Sequence, residues 1–392
     1  MNIRENFQMA CKLEALGKWP IDLSIGSPDI EIPNEFYKYR DLVSLQDKTF
    51  FNTILTKDGR PILDEDGDVR ITMKNPHGYG NPMGYPETRE RVASDVTDML
   101  GIDLTSDDVI MTGGAIQGIH ALLSTFFRDG DSVMVMRPFF GPYLDLLKVH
   151  SLKPVIIDST SDFDINLEDV IEKFEDGVKG IILNDPNNPT GKIYSAEIKK
   201  ELATLLPLDT IYIEDTPYSQ LVFEGSFVSM LHYFKNAFHV NSLSKNLAVP
   251  GERLGYIAMH PDNKRAGEVA KTIQLLQVNA PINMQKIIRY MGVNHSFAYD
   301  LYKHNIDVMS ECLDKHGFEF NKPEGAFYIF AKLPEGLALG EFESKMHEGY
   351  DPLFAPDGSA FGYDENYIRF ALCKDTRVID RAVSKFDRVL GK

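Results

Sequence analysis

Lys245 has the setting most suggestive of chemistry. It closes Ser242-Leu243-Ser244-Lys245, directly after the apolar run FHVNS (238–242), and Gly251, Arg253 and Gly255 follow. A lysine among hydroxyls at the end of a buried run is a candidate Schiff-base nucleophile. A surface lysine is the alternative, which the flanking apolar residues disfavour. Asp215 follows TIYIE (210–214), with Tyr218 three residues on. A carboxylate there suits a buried cation or a helix cap. Asp185-Pro186-Asn187-Asn188-Pro189-Thr190-Gly191 follows GIILN (180–184). Asn188 offers an amide donor to a ligand oxygen, and the stretch also reads as an ordinary Pro/Gly loop. Thr112-Gly113-Gly114-Ala115 follows DVIMT (108–112) and opens a helix, where backbone N–H groups favour an anion; a tight turn explains the glycines as well. Phe140, after SVMVM (132–136), either stacks on a flat ring or joins the core.

All these residues sit after short apolar runs, so the runs must position them. PVIID (154–158) and GYIAM (255–259) complete a set of seven candidate strands, with amphipathic helical stretches between most of them. Such alternation predicts βαβ units, hence an α/β fold whose mostly parallel seven-stranded sheet is covered by helices on both faces. Ligands of such sheets bind beyond the carboxyl ends of the strands. From about 262 the pattern changes. It predicts a long helical stretch over 282–315, strands at 327–333 and 367–373, and helices near 341–348 and 375–390, together a smaller α+β domain. The expected division is 1–40, an N-terminal segment packing with the small domain; 41–75, an inserted loop or hairpin; 76–285, the large domain; and 286–392, the small C-terminal domain.

The chain has 392 residues, of which 43% are hydrophobic and 25% charged, which excludes extensive disorder. Its net charge of −17 disfavours nucleic acid and anionic membrane as partners, though not a local pocket for one phosphate. No window reaches the ~18 apolar residues of a membrane span, and the N-terminus lacks a signal-peptide core. Cys11, Cys312 and Cys373 lie far apart, which encodes neither a disulfide framework nor a zinc ribbon and suits the cytoplasm. Asp64, Glu65, Asp66 and Asp68 lack EF-hand spacing and read as a solvated turn, so no metal is expected.

Taken together the residues resemble the fold-type I pyridoxal-phosphate enzymes, the aspartate aminotransferase superfamily of class I and II aminotransferases. The resemblance runs through DLSIGSPD (22–29), the Tyr79-Gly80…Arg89 stretch, TGGA, NNPTG, Asp215-x-x-Tyr218, SLSK with GERLG, PEGAFYIF (323–330), GSAFG (358–362) and YIRFA (367–371). It implies pyridoxal 5'-phosphate as cofactor, held as a Schiff base on Lys245, which then shuttles the proton. It implies that Asp215 pairs with the ring nitrogen, that Asn188 and Tyr218 bond the phenolate oxygen, and that Phe140 stacks on the ring. The phosphate would take the Gly114 and Ala115 N–H groups, Ser242, Ser244 and Arg253, with Tyr79 reaching across a homodimer interface. On the substrate side it implies Gly26, Asn188 and Arg369, the last as a bidentate clamp for an α-carboxylate. The implied reaction moves the α-amino group of an amino acid to a 2-oxo acid.

The sequence departs from the family pattern in places. The stretch between Asp29 and Tyr79 is longer and contains 41–75, expected near the active-site mouth as an influence on substrate choice, or else as a surface decoration. Pro250 and Glu252 flank Gly251 where small and aromatic residues are usual. No second arginine is placed for a substrate side-chain carboxylate, so dicarboxylic substrates are not supported. The same fold hosts amino-acid lyases, cyclases and oxidases of biosynthetic pathways, which is the second reading. A regulatory protein retaining the fold is disfavoured by the acidic charge and by the ~20 residues ahead of DLSIGSPD, fewer than a DNA-binding domain needs. A dehydrogenase is disfavoured by the lack of GxGxxG.

Overall fold

The computed structural model describes residues 2–47, 52–53, 71–72, 78–174, 177–295 and 297–391. The acidic cluster at 64–68 and most of the 41–75 segment lie outside the described residues. The segment's first residues, 41–47, close a helix.

Helix α1 (Ile3–Ala15) begins with a capping box between Asn2 and Glu5. Strand β1 (Ile21–Asp22) and helix α2 (Asn34–Asp47) follow. Strands β2 (Asn52–Thr53) and β3 (Ile71–Thr72) pair antiparallel.

The large sheet follows helix α3 (Pro86–Leu100). Its elements are β4 (Val109–Thr112), α4 (Ala115–Phe126), β5 (Ser132–Arg137), α5 (Pro142–Val149), β6 (Lys153–Asp158), α6 (Leu167–Lys173), β7 (Val178–Asn184), α7 (Ala196–Leu205), β8 (Ile211–Asp215), β9 (Ala237–Ser242), the short α8 (Leu243–Asn246) and β10 (Gly255–Met259). The seven strands run in the order β4-β10-β9-β8-β7-β5-β6, and only β10 is antiparallel to its neighbours. Strands covered on both faces must be apolar throughout. Successive residues accordingly enter opposite cores, as a period of two requires. Ile110, Val133, Val135, Ile182, Ile213 and Val240 face one cluster, with Ile119 and Leu122 of α4 and Leu147 of α5. Met111, Met134, Ile181, Leu183 and Tyr212 face the other, with Val92 and Val96 of α3 and Leu202 of α7.

Beyond the sheet come α9 (Ala266–Gln277), α10 (Ile282–Met291) and α11 (Tyr299–Lys315). The single helical stretch expected over 282–315 is therefore two helices. Gly292, at φ +81°, takes the position after α10 that only glycine adopts freely. Helix α9 was not anticipated, although Val269, Ala270 and Ile273 form its buried face. Met284, Ile287, Ile288, Met291 and Val293 join the large sheet's core, which thus continues past residue 285.

The small domain comprises β11 (Glu319–Phe320), β12 (Tyr328–Lys332), α12 (Leu339–His347), β13 (Leu353–Phe354), β14 (Tyr367–Ala371) and α13 (Thr376–Leu390). β11, β12 and β14 form a three-stranded sheet. β1 pairs parallel with β13, and Ile21 and Leu23 enter this domain's core. The Ala371 N–H donates to the Leu23 carbonyl at 3.0 Å, so residues 22–26 run beside β14. Among the described residues no helix is long and apolar enough to cross a membrane.

Candidate active site

The antiparallel β10 brings one corner of the site together. Its first residue, Gly255, lies opposite both Thr112 at the end of β4 and Ser242 at the end of β9. A Cβ on Gly255 would stand 2.5 Å from the Asn241 carbonyl and 3.0 Å from the Gly114 backbone, so glycine is required for this approach. Gly114 has φ +98° and ends just before α4, whose first N–H groups lack partners within the helix. Arg253 lies over it: a Cβ on Gly114 would meet the Arg253 Nη2 at 2.6 Å. Arg253 itself is held at φ +54°, a strained conformation for a side-chain-bearing residue. Its guanidinium donates to the Pro250 carbonyl at 2.8 Å and the Gly113 carbonyl at 3.2 Å, and reaches Ser244 Oγ at 3.5 Å. Ser242 Oγ donates to Ser244 Oγ at 2.9 Å. Hydroxyls, a guanidinium and a helix N-terminus thus converge on a space that suits a phosphate.

Asp215 ends β8 opposite Asn184 of β7. It is buried, and burial pushes its carboxyl up to about 6 despite a hydrogen bond from the Tyr143 hydroxyl to Oδ2. Its Oδ1 is buried without a hydrogen-bond partner among the described residues. Such an oxygen is costly unless a donor arrives, and a protonated ring nitrogen is one. Behind the two strand ends, Lys199 is fully buried between Asp185 and Glu214, 2.9 Å from the latter. Burial opposes ionisation of Glu214, but Lys199, His239 and Ser229 outweigh it and hold the carboxyl at about 2.

Lys245, on α8, is the amine among these groups. Its Nζ donates to the Gly26 carbonyl and lies 5.9 Å from the Phe327 ring centroid. Burial lowers its pKa to about 8, Arg369 and Arg253 also lower it, and Cys373 and Asp215 oppose. Arg369, on β14, is 1% exposed. It donates to Asn188 Oδ1 at 3.0 Å and to the Ser24 carbonyl, while its buried Nε has no hydrogen-bond partner among the described residues. Among the described residues no carboxylate pairs with it. Asn188 is positioned by its N–H, which donates to Asn184 Oδ1 at 2.6 Å. Tyr218 is buried, with its hydroxyl 2.9 Å from that of Tyr328.

The structure therefore brings Gly26, Gly114, Ala115, Asn188, Asp215, Tyr218, Ser242, Ser244, Lys245, Arg253 and Arg369 to the strand ends and the cleft above them. Phe140 is half-buried, edge-on to Tyr143 with centroids 5.6 Å apart. Tyr79 stands apart, 89% exposed. The reading of the sequence missed Tyr143, Tyr328 and the Ser24 carbonyl. Tyr143 carried a usable signal, since it lies three residues after Phe140, in the first turn of a helix opened by Pro142. Tyr328 and Ser24 carried none, because pairing between distant segments brings them in. The residues fit pyridoxal phosphate: an amine with a lowered pKa, an orphaned carboxylate oxygen for a ring nitrogen and a phosphate cradle that a Cβ would fill.

Comparison with known proteins agrees. The probable aspartate aminotransferase of Methanocaldococcus jannaschii is 28% identical over 93% of this chain and 91% of its own. The (5-formylfuran-3-yl)methyl phosphate transaminase of the same organism is 27% identical over 98% and 95%. Aspartate aminotransferase from Thermus thermophilus, solved with maleate, superposes with a TM-score of 0.85 at 22% identity, covering 99% of this chain and 96% of that one, and so speaks for the fold alone. The sequence profile described as aminotransferase class I and II matches residues 70–386. Because that match takes in both the large sheet and most of the small domain, the chain belongs to the class I and II aminotransferase family of fold-type I, pyridoxal-phosphate-dependent enzymes.

Proposed function

We propose that the protein moves the α-amino group of an amino acid to a 2-oxo acid through Lys245, as a homodimer in the cytoplasm. The observation that carries this reading is Arg369, a buried guanidinium with no carboxylate partner among the described residues and an orphaned Nε, close enough to Lys245 to lower its pKa. A buried cation without its anion is costly, and a substrate carboxylate supplies the anion in a geometry that guanidinium matches with two parallel bonds.

Bound in this pocket, pyridoxal phosphate supplies an electron sink for the pair left when the α-carbon loses its proton. Arg253, Ser242, Ser244 and the N–H groups of Gly114 and Ala115 would hold its phosphate. Asp215 would accept from the ring nitrogen through Oδ1, while Tyr143 keeps Oδ2 occupied. Asn188 and Tyr218 would donate to the phenolate oxygen, and Phe140 would pack on the ring. Lys245 would carry the proton from the substrate's α-carbon to the cofactor's C4′ carbon, leaving its amine free for the next cycle. Arg369 and Asn188 would orient the substrate beside Gly26, whose carbonyl accepts from Lys245 Nζ. The exposed Tyr79 would reach across a homodimer interface to the phosphate held by the partner subunit. The free thiols of Cys11, Cys312 and Cys373 suit a reducing compartment.

The test is the visible spectrum of the loaded protein, titrated with single amino acids and no oxo acid. Loss of the band with release of one equivalent of 2-oxo acid is expected. Release of ammonia or another leaving group with the band retained points instead to lyase, cyclase or oxidase chemistry. No band at all overturns the cofactor assignment.

A further inference from the structure

Tyr328 joins two halves of the site. Its strand pairs antiparallel with β14, in the register Tyr328↔Ala371 and Phe330↔Arg369. Tyr328 is thus the diagonal neighbour of Arg369 on one face of the small sheet. The Arg369 guanidinium lies 4.6 Å from the Tyr328 ring centroid and 4.9 Å from that of Phe361, held between two aromatic faces. The hydroxyl end of Tyr328 meets the Tyr218 hydroxyl at 2.9 Å, with the rings edge-on at 5.6 Å. On its far side the Tyr328 hydroxyl packs against Gly26, where a Cβ would stand 1.9 Å from it.

Each hydroxyl has one proton to give, so only one of the pair donates to the other. Both phenols sit above their ordinary pKa through burial and stay protonated at neutral pH. Among the described residues the charged and titratable groups facing them include Asp215, Arg369, Cys373, Tyr143 beside Tyr218 and Tyr302 beside Tyr328. If Tyr218 donated to Tyr328, the Tyr328 proton would be left facing Gly26, whose carbonyl already accepts from Lys245, and among the described residues the Tyr328 hydroxyl has no hydrogen bond other than that with Tyr218. If Tyr328 donates, the Tyr218 proton is free to point into the cleft. Only the second arrangement, with an acceptor in the cleft, satisfies both donors, and successive donation strengthens each bond.

We propose that Tyr328 is a positioning residue that donates to Tyr218, aims the Tyr218 proton at the cofactor's phenolate oxygen, and carries on its ring the guanidinium that receives the substrate carboxylate. This rests on the role given to Tyr218 above. A donor at the phenolate oxygen favours the deprotonated form of the bound chromophore. Weakening that donor raises the pH midpoint of the visible band.

The experiment compares the pyridoxal-phosphate-loaded wild type, Tyr328→Phe, Tyr218→Phe and the double variant by spectroscopic pH titration, with cofactor dissociation measured alongside. Tyr328→Phe is expected to raise the midpoint by about half to one pH unit, the scale of one hydrogen bond. In the Tyr218→Phe background the same change should move nothing further, because the path through Tyr218 is already cut. The ring survives in Tyr328→Phe, so KM for the amino substrate should stay within about twofold, whereas Tyr328→Leu should raise it several-fold. A midpoint unmoved by Tyr328→Phe, or moved equally in both backgrounds, overturns the proposal while leaving the cofactor assignment standing. A wild type with no visible band overturns both.

Discussion

The reactivity of Lys245 should follow its surroundings rather than its residue type. At a pKa of about 8, about one amine in ten is neutral at pH 7, against about one in three thousand for an ordinary lysine near 10.5. The gain in nucleophile is therefore about 300-fold, equivalent to about 3.4 kcal/mol. The shift lowers the pKa of a cationic acid, so the neutral fraction climbs through pH 8 and levels off above it. The assay is reductive trapping of pyridoxal by the cofactor-free protein from pH 6 to 11, with Lys245 followed by peptide mass and Lys245→Ala as control. The rate should rise with a midpoint near 8 and reach a plateau by about pH 9.5. Arg369→Leu should move the midpoint upward, since the Arg369 cation helps lower the pKa. A rate still climbing above pH 10 would show that the amine is solvated like any surface lysine, and the argument from burial would fail.

Three further outcomes follow from the same contacts. Tyr143→Phe removes the one hydrogen-bond donor that the described residues place on the Asp215 carboxylate, so cofactor dissociation should rise about tenfold or more, measured by equilibrium dialysis; an unchanged constant refutes the link. Arg369→Lys replaces a planar fork with a point charge, and KM for the amino acid should increase about 10- to 100-fold in steady-state kinetics; a change under twofold would remove Arg369 from carboxylate binding. Lys199→Met leaves Glu214 and Asp185 buried without their cation and should cost about 3–5 kcal/mol in urea unfolding, with a loss below 1 kcal/mol counting against the buried pair.

Much of this molecule is written locally. The seven strands were legible because each is an apolar run, buried almost throughout in all but the edge strand β6, and such runs keep their character without reference to neighbours. Lys245, Asp215 and Asn188 could be named because each follows a strand, and in a parallel sheet those ends share one edge. Local pattern failed where a single residue changes the course of the chain, as Gly292 does in dividing the expected helix. It also understated α9, whose polar stretches mask three buried positions.

Contacts between segments far apart in sequence were decided only by tertiary structure. Arg369 meets Asn188 and the Ser24 carbonyl across more than 180 residues. Tyr328 meets Tyr218 across 110. The Asp215 carboxyl rises because the folded core removes water from around it, and one of its oxygens stays unpaired because no donor among the described residues reaches it. The sequence could determine which groups were present and which strand ends carried them. Their protonation and partners depend on desolvation and register, which exist only once the two domains have packed together.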